Sequence, residues 1–125
     1  MRDFAIQIGH RPGEVARVAN ALARKDINLK SIAGMGFGNQ GLLHLLPDDV
    51  EAARAALNES RIPFEEHEIV TVLLENKAGE LAEVTGKLSN AGVNLQAIYV
   101  VGLDGDLVEL AIAADDVKKA KKVLE

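Results

Sequence analysis

The 125-residue chain is 48% apolar and 3% aromatic and has no cysteine, a composition that supports a core of Val, Ile, Leu and Ala and excludes a disulfide framework, thiolate nucleophile or cysteine zinc site. With 14 Lys and Arg against 19 Asp and Glu the formal charge is −5. No basic stripe or aromatic stacking platform is visible, so nucleic acid is excluded as an expected partner.

"FAIQI" places Phe4, Ile6 and Ile8 on one face, the period of a half-buried strand. It follows Met1-Arg2-Asp3 without an apolar signal core, and the longest apolar run, Ala97 to Leu103, is far short of the roughly 20 residues of a membrane helix. The expectation is a soluble cytoplasmic protein with no membrane partner. "GHRPGEV" (Gly9 to Val15) then turns into a helix on which Val15, Val18, Ala19 and Leu22 recur at helical spacing, with Glu14 at its positive end. "KDIN" ends that helix and leads into a second strand. A third strand covers Leu42 to Leu46, Asp48-Asp49 cap a second helix carrying Val50, Ala53 and Leu57, and a fourth strand lies at about Ile62 to Glu66. "FEEHE" (Phe64 to Glu68) reads as a solvated charged stretch.

The pattern then restarts. Val70, Val72 and Leu74 alternate, "ENKAGEL" (Glu75 to Leu81) turns, and Leu81, Val84 and Leu88 follow on a helix with Glu80 in its first turn and Gly92 just past its end. Asp104-Gly105 signals a hairpin before a strand at Leu107 to Ile112, and Asp115-Asp116 cap a helix carrying Val117, Ala120 and Leu124. "RPGEVARVANALARKDINLKSI" superposes on "KAGELAEVTGKLSNAGVNLQAI", Arg11 on Lys77, at an offset of 66 that becomes 67 after the hairpin. The chain reads as a duplication with domains 1–68 and 69–125.

The order β-α-β-β-α-β implies an α+β fold of two ferredoxin-like units, each an antiparallel sheet with its helices on one face, the second copy lacking its last strand. A unit near 60 residues is marginal alone, and an unpaired sheet edge invites another chain, so a homodimer is expected.

A literal G-x-G-x-x-G at Gly36 to Gly41 is followed by "LLHLLP", a strand, and lacks the helix that dinucleotide binding requires. His10, His44 and His67 show no metal-site spacing, and Ser31, Ser60 and Ser89 lie in no nucleophile elbow. No catalytic residue, metal or cofactor is expected, and the chain is not read as an enzyme. The repeated turn is richer: Gly13 and Gly79 leave the backbone open at a helix N-terminus suited to a carboxylate, and Asn28 and Asn94 begin the second strands with both a donor and an acceptor. Together they suit a free amino acid. They also have a purely local reading, in which Gly makes the turn and Asn tolerates a left-handed backbone.

The repeated turn, Ala/Leu-rich helix and "(I/V)N(I/L)" resemble the ACT domain, a small regulatory amino-acid-binding module, present as two tandem copies. The resemblance implies a stand-alone regulatory protein that binds an amino acid at the interface of paired modules. The alternative it implies is a subunit that binds no ligand and oligomerises with a biosynthetic enzyme. In serine-sensing members the ligand lies between an Asn before one turn and the Asn opening the neighbour's second strand. Carried over, one site joins Asn76, Lys77, Ala78, Gly79 and Glu80 with Asn28 and Leu29. The other joins His10, Arg11, Pro12, Gly13 and Glu14 with Asn94 and Leu95, with His10 departing from the Asn of the pattern.

Overall fold

The computed structural model describes all residues, Met1–Glu125, which divide into two compact units, Met1–His67 and Glu68–Glu125. The first contains β1 (Arg2–Gly9), α1 (Glu14–Ala23), β2 (Leu29–Phe37), β3 (Gln40–Pro47) and α2 (Val50–Glu59), and it ends in the opening residues of β4 (Glu65–Glu75). The second holds the rest of β4, then α3 (Glu80–Asn90), β5 (Leu95–Asp104), β6 (Leu107–Ala114) and α4 (Val117–Leu124). The fold is α+β with antiparallel pairing throughout the registers of both units.

In the first unit β3 lies between β1 and β2, with Phe4 opposite Leu45 and Ile6 opposite Leu43. Alternation sends these four residues to one face, where they close on Val18, Ala21 and Leu22 of α1 and on Ala53, Ala56 and Leu57 of α2. The second unit repeats the arrangement with β6 between β4 and β5: Val70 and Ile112 pack under Val84 and Leu88 of α3 and Ala120 of α4. Burying these apolar faces holds each helix pair on its sheet.

The second helix of each unit starts in the same way. Asp49 accepts from the Ala52 N–H and Asp116 from the Lys119 N–H, both at 3.0 Å, so each carboxylate satisfies a donor that the helix leaves open. The hairpins are displaced by one residue from the expected Asp104-Gly105: the turn residues are Gly38-Asn39 and Gly105-Asp106. Of each pair only the glycine has positive φ, 63° and 58°, matching the demand of a type II′ turn for Gly in first place. The three glycines of the G-x-G-x-x-G string are accordingly two strand residues and one hairpin turn.

The charged stretch around Glu66 is strand rather than solvated loop. Glu66 accepts from Arg54 Nε at 2.6 Å and Nη2 at 2.8 Å and from Arg2 Nε at 3.0 Å, so cations from α2 and β1 converge on it. The Arg54 hydrogen bonds, aided by Arg2, hold the Glu66 carboxyl at about 2, below its ordinary 4.5. Because the folded-state value is depressed, the stabilisation is complete above the unfolded value and lost as pH falls through the folded one. The melting-temperature gap between wild type and Glu66→Gln, followed by circular dichroism, is therefore expected to be full at neutral pH and to close as pH falls from 4.5 toward about 2. A gap independent of pH contradicts this account.

Candidate functional site

Both copies of the repeated turn adopt one backbone conformation. Gly13 has φ 92°, ψ −13° and Gly79 has φ 92°, ψ −19°, left-handed in each case, and neither helix has a side-chain cap. A Cβ at either glycine would meet nothing within 4 Å, so glycine is required by the backbone angle and the turn is open to solvent on that side. The first-turn N–H groups of α1 and α3 lie beside these openings.

Each turn is pinned to the hairpin of its own unit. The His10 N–H donates to the Asn39 carbonyl at 3.1 Å and the Asn76 N–H to the Asp106 carbonyl at 2.7 Å, equivalent bonds in the two copies. In the first unit the His10 ring also lies over Gly36, where an added Cβ would come within 2.5 Å of its Cε1. Gly36 thus serves to seat an imidazole.

The charged groups differ between the copies. Glu14, 12% exposed, accepts from the Gly9 N–H at 3.0 Å and from Arg17 Nε at 3.3 Å, with Arg11 Nη2 at 3.6 Å. The Gly9 hydrogen bond and the two arginines hold its carboxyl below the ordinary range. In the second copy Glu80 faces Lys77 Nζ at 3.9 Å, while that ammonium sits 2.8 Å from Glu75. Pro12 and Ala78, the residues before the two glycines, are both exposed.

Asn28 and Asn94 also have matched roles. The Asn28 carbonyl accepts from the Asp48 N–H and the Asn94 carbonyl from the Asp115 N–H, each at 3.0 Å, and the Asn94 N–H donates to Asp115 Oδ1 at 3.0 Å. Neither asparagine is left-handed; that conformation belongs to Asp26 (φ 56°) and Gly92 (φ 75°), two residues earlier in each copy. The local reading therefore explains the turn glycines and not the asparagines. Leu29 and Leu95 are half-buried and pack against the cores of their units. Asn94 and Leu95 also line a shallow groove of about 420 Å³ with Thr85, Ser89 and Gly92, positions held by Ala19, Ala23 and Asp26 in the first copy.

Within one unit the turn and the asparagine stand at opposite ends of the first helix, about 15 Å apart for ten residues at 1.5 Å each. No single unit brings His10 to Asn28 or Asn76 to Asn94.

Two features of the first unit escape the sequence reading. One is a cavity of about 490 Å³ lined by Ala5, Gln7, Met35, Phe37, Gln40 and Leu42 among others, where Met35 is 71% and Phe37 88% exposed. By register these residues share the sheet face opposite the helices, and the cavity contains no residue of the repeated turn. The other is Asp3, fully buried, whose carboxylate meets His44 Nδ1 at 2.9 and 3.0 Å and His67 Nδ1 at 3.4 Å. Only strand register joins these three residues, so no sequence spacing marks them. No cluster of three or more His, Asp or Glu side chains is placed to hold a metal ion, and no helix is long and apolar enough to cross a membrane.

No family model and no curated protein matches the sequence. Solved structures do match. Protein BT0572 from Bacteroides thetaiotaomicron superposes with a TM-score of 0.85 at 24% identity, over 98% of this chain and 85% of that one. The regulatory subunit of aspartate kinase from Thermus thermophilus, in its ligand-free form, gives 0.67 at 19% identity, over 98% and 88%. The aspartokinase alpha and beta subunits give 0.68 at 18% identity, over 98% and 88%. The fold is ACT-like. At these identities the likeness establishes architecture alone.

The two glycines of β2 that face the helices separate turn seating from core packing. A Cβ at Gly34 would come within 2.9 Å of Leu43 Cδ2, inside the core, whereas at Gly36 its nearest neighbours are atoms of the His10 ring, which is exposed. Gly34→Ala is expected to destabilise by about 1–3 kcal/mol through overpacking, and Gly36→Ala by less, with the His10 imidazole resonances shifted. Thermal unfolding and NMR check both, and the reverse order of stabilities contradicts the assignment.

Proposed function

We propose that this chain is a regulatory module that binds a free amino acid and has no catalytic role of its own. The observation that carries this reading is the repeated turn: an open left-handed glycine at a helix N-terminus without a side-chain cap, held in the same backbone conformation in both copies. Such a terminus favours a carboxylate through its N–H groups and dipole. An asparagine side chain supplies the complementary acceptor for an ammonium and a donor for a carboxylate. Since one unit separates the two by a helix length, the ligand is shared between paired modules, the turn and Asn76 from one and Asn28 from another. Likeness to a protein named as the regulatory subunit of aspartate kinase, in its ligand-free form, supports a regulatory role.

In this reading Asn76, Lys77, Ala78, Gly79, Glu80 and Asn28 form the principal site, and His10, Arg11, Pro12, Gly13, Glu14 and Asn94 form its counterpart. Ligand binding acts by favouring one pairing state of the modules over another, in a homodimer or in complex with a biosynthetic enzyme. A second reading, a pairing subunit that binds nothing, is favoured by the exposed apolar face at Met35 and Phe37.

A thermal-shift screen over the twenty amino acids separates the two. A true effector raises the melting temperature, with a stabilisation of about 2.7 kcal/mol at a hundredfold excess over its dissociation constant. Asn28→Ala and Asn76→Ala are each expected to weaken binding by about tenfold, roughly 1.4 kcal/mol, with circular dichroism unchanged. No shift with any amino acid at millimolar concentration removes the sensor reading and leaves the pairing subunit.

A further inference from the structure

The cavity of about 490 Å³ takes no part in the repeated turn, and all its lining residues belong to the first unit. Strand register builds its floor. On the face away from the helices β1 presents Ala5 and Gln7, β3 presents Gln40 and Leu42, and β2 presents Met35 and Phe37. Ala5 fills the least space of these, and the depression runs across it from Met35 and Phe37 to Pro63 and Glu65, where β4 begins. From β2 to β4 is three strand spacings, about 14 Å.

The two ends differ in chemistry. Toward β2 the walls are a thioether and a phenyl ring, both exposed, which suit the face or edge of an aromatic guest. Toward β4 the charge is Glu65, whose side chain is 82% exposed and whose partner is the His67 ring, at 3.6 Å. No lysine or arginine lines the cavity, since Arg2 and Arg54 are both drawn to Glu66. The imidazoles of His44 and His67 are turned to Asp3 through Nδ1, and neither lines the cavity. Between the ends Gln7 donates to Gln40 at 3.0 Å, which leaves one amide oxygen and one amide nitrogen of the pair for a guest.

We propose that this cavity is a second binding site, for a small amine with an aromatic body, the body lying against Met35 and Phe37 and the ammonium at Glu65. The volume falls within the roughly 300–1,000 Å³ of small-molecule sites, and the lining has their make-up, mostly apolar with a few polar groups. Charge selects the class of ligand: an anion would meet Glu65 with no cation to answer it, whereas an ammonium is answered. A second copy of the chain fits less well, because a two-fold contact sets the depression against itself and leaves the hollow unfilled. The proposal does not rest on the amino-acid reading given above, whose residues lie outside this cavity.

Three probes that share one body and differ in charge test it: phenylbutylamine, phenylbutanol and phenylbutyrate, each titrated into the full chain and followed by NMR. The amine is expected to shift the Met35 methyl and the Ala5 and Leu42 signals saturably and to bind about threefold more tightly than the alcohol, with the butyrate weakest. Glu65→Gln is expected to remove the advantage of the amine and leave the alcohol unchanged. Phe37→Ala, at a position too exposed to support the core, is expected to weaken amine and alcohol alike, by about fivefold. No saturable shift at these residues, butyrate binding as tightly as the amine, or a preference for the amine that survives Glu65→Gln overturns the assignment. Shifts of Met35 and Phe37 on dilution without any probe identify a second copy as the occupant and overturn it as well.

Discussion

A strand that buries alternate residues must deliver its chain to a helix lying over that same buried face, and in each unit only four residues separate strand from helix. Gly9 ends β1 and Glu14 opens α1; Glu75 ends β4 and Glu80 opens α3. A reversal this short needs a left-handed residue at the N-cap, which glycine adopts without steric cost. From that point Val18 and Leu22, or Val84 and Leu88, fall onto the sheet, and the carbonyls of Gly13 and Gly79 accept the first helical bonds from Arg17 and Glu83. The turn that lets the core close also leaves a helix N-terminus without a side-chain cap, so the fold requirement and the proposed carboxylate site come from one feature.

Equivalent backbones with unequal side chains make the two units differ in chemistry while agreeing in fold. The hydrogen bonds from His10 to Asn39 and from Asn76 to Asp106 occupy matching places, as do those from Asp48 to Asn28 and from Asp115 to Asn94. Around this shared frame Gly9 answers Glu75, His10 answers Asn76, and Ala19 and Ala23 answer Thr85 and Ser89. None of these exchanges touches the principal packing of either core. They alter which charges reach the turn and which polar groups line the groove at the end of the first helix.

The stretch from Glu65 to Glu68 shows why local composition misleads. Consecutive charges read as solvated, because an isolated carboxylate is costly to withdraw from water. Glu66 is instead compensated by Arg54 and Arg2, twelve and sixty-four residues away in sequence, and the strand simply continues. Asp3 is the stronger case: a fully buried carboxylate whose imidazole neighbours come from β3 and β4. Compensation of this kind depends on register, which no single segment of sequence encodes.

The sequence by itself determined the α+β class, the glycine turns and the aspartate caps, because each rests on a local period or on the conformational limits of one residue type. It also determined the order of elements except at the junction, where the expected strand at about Ile62 to Glu66 and the one carrying Val70 to Leu74 are a single strand, Glu65–Glu75. The asparagines were legible as matched positions, but their backbone bonds to Asp48 and Asp115 were not. Tertiary structure alone decided that Glu14 folds onto Gly9 while Glu80 does not, that Gly36 seats His10, and that Met35 and Phe37 share an exposed face. These outcomes depend on which side chains meet across strands and turns, and such distances are set only when the cores close.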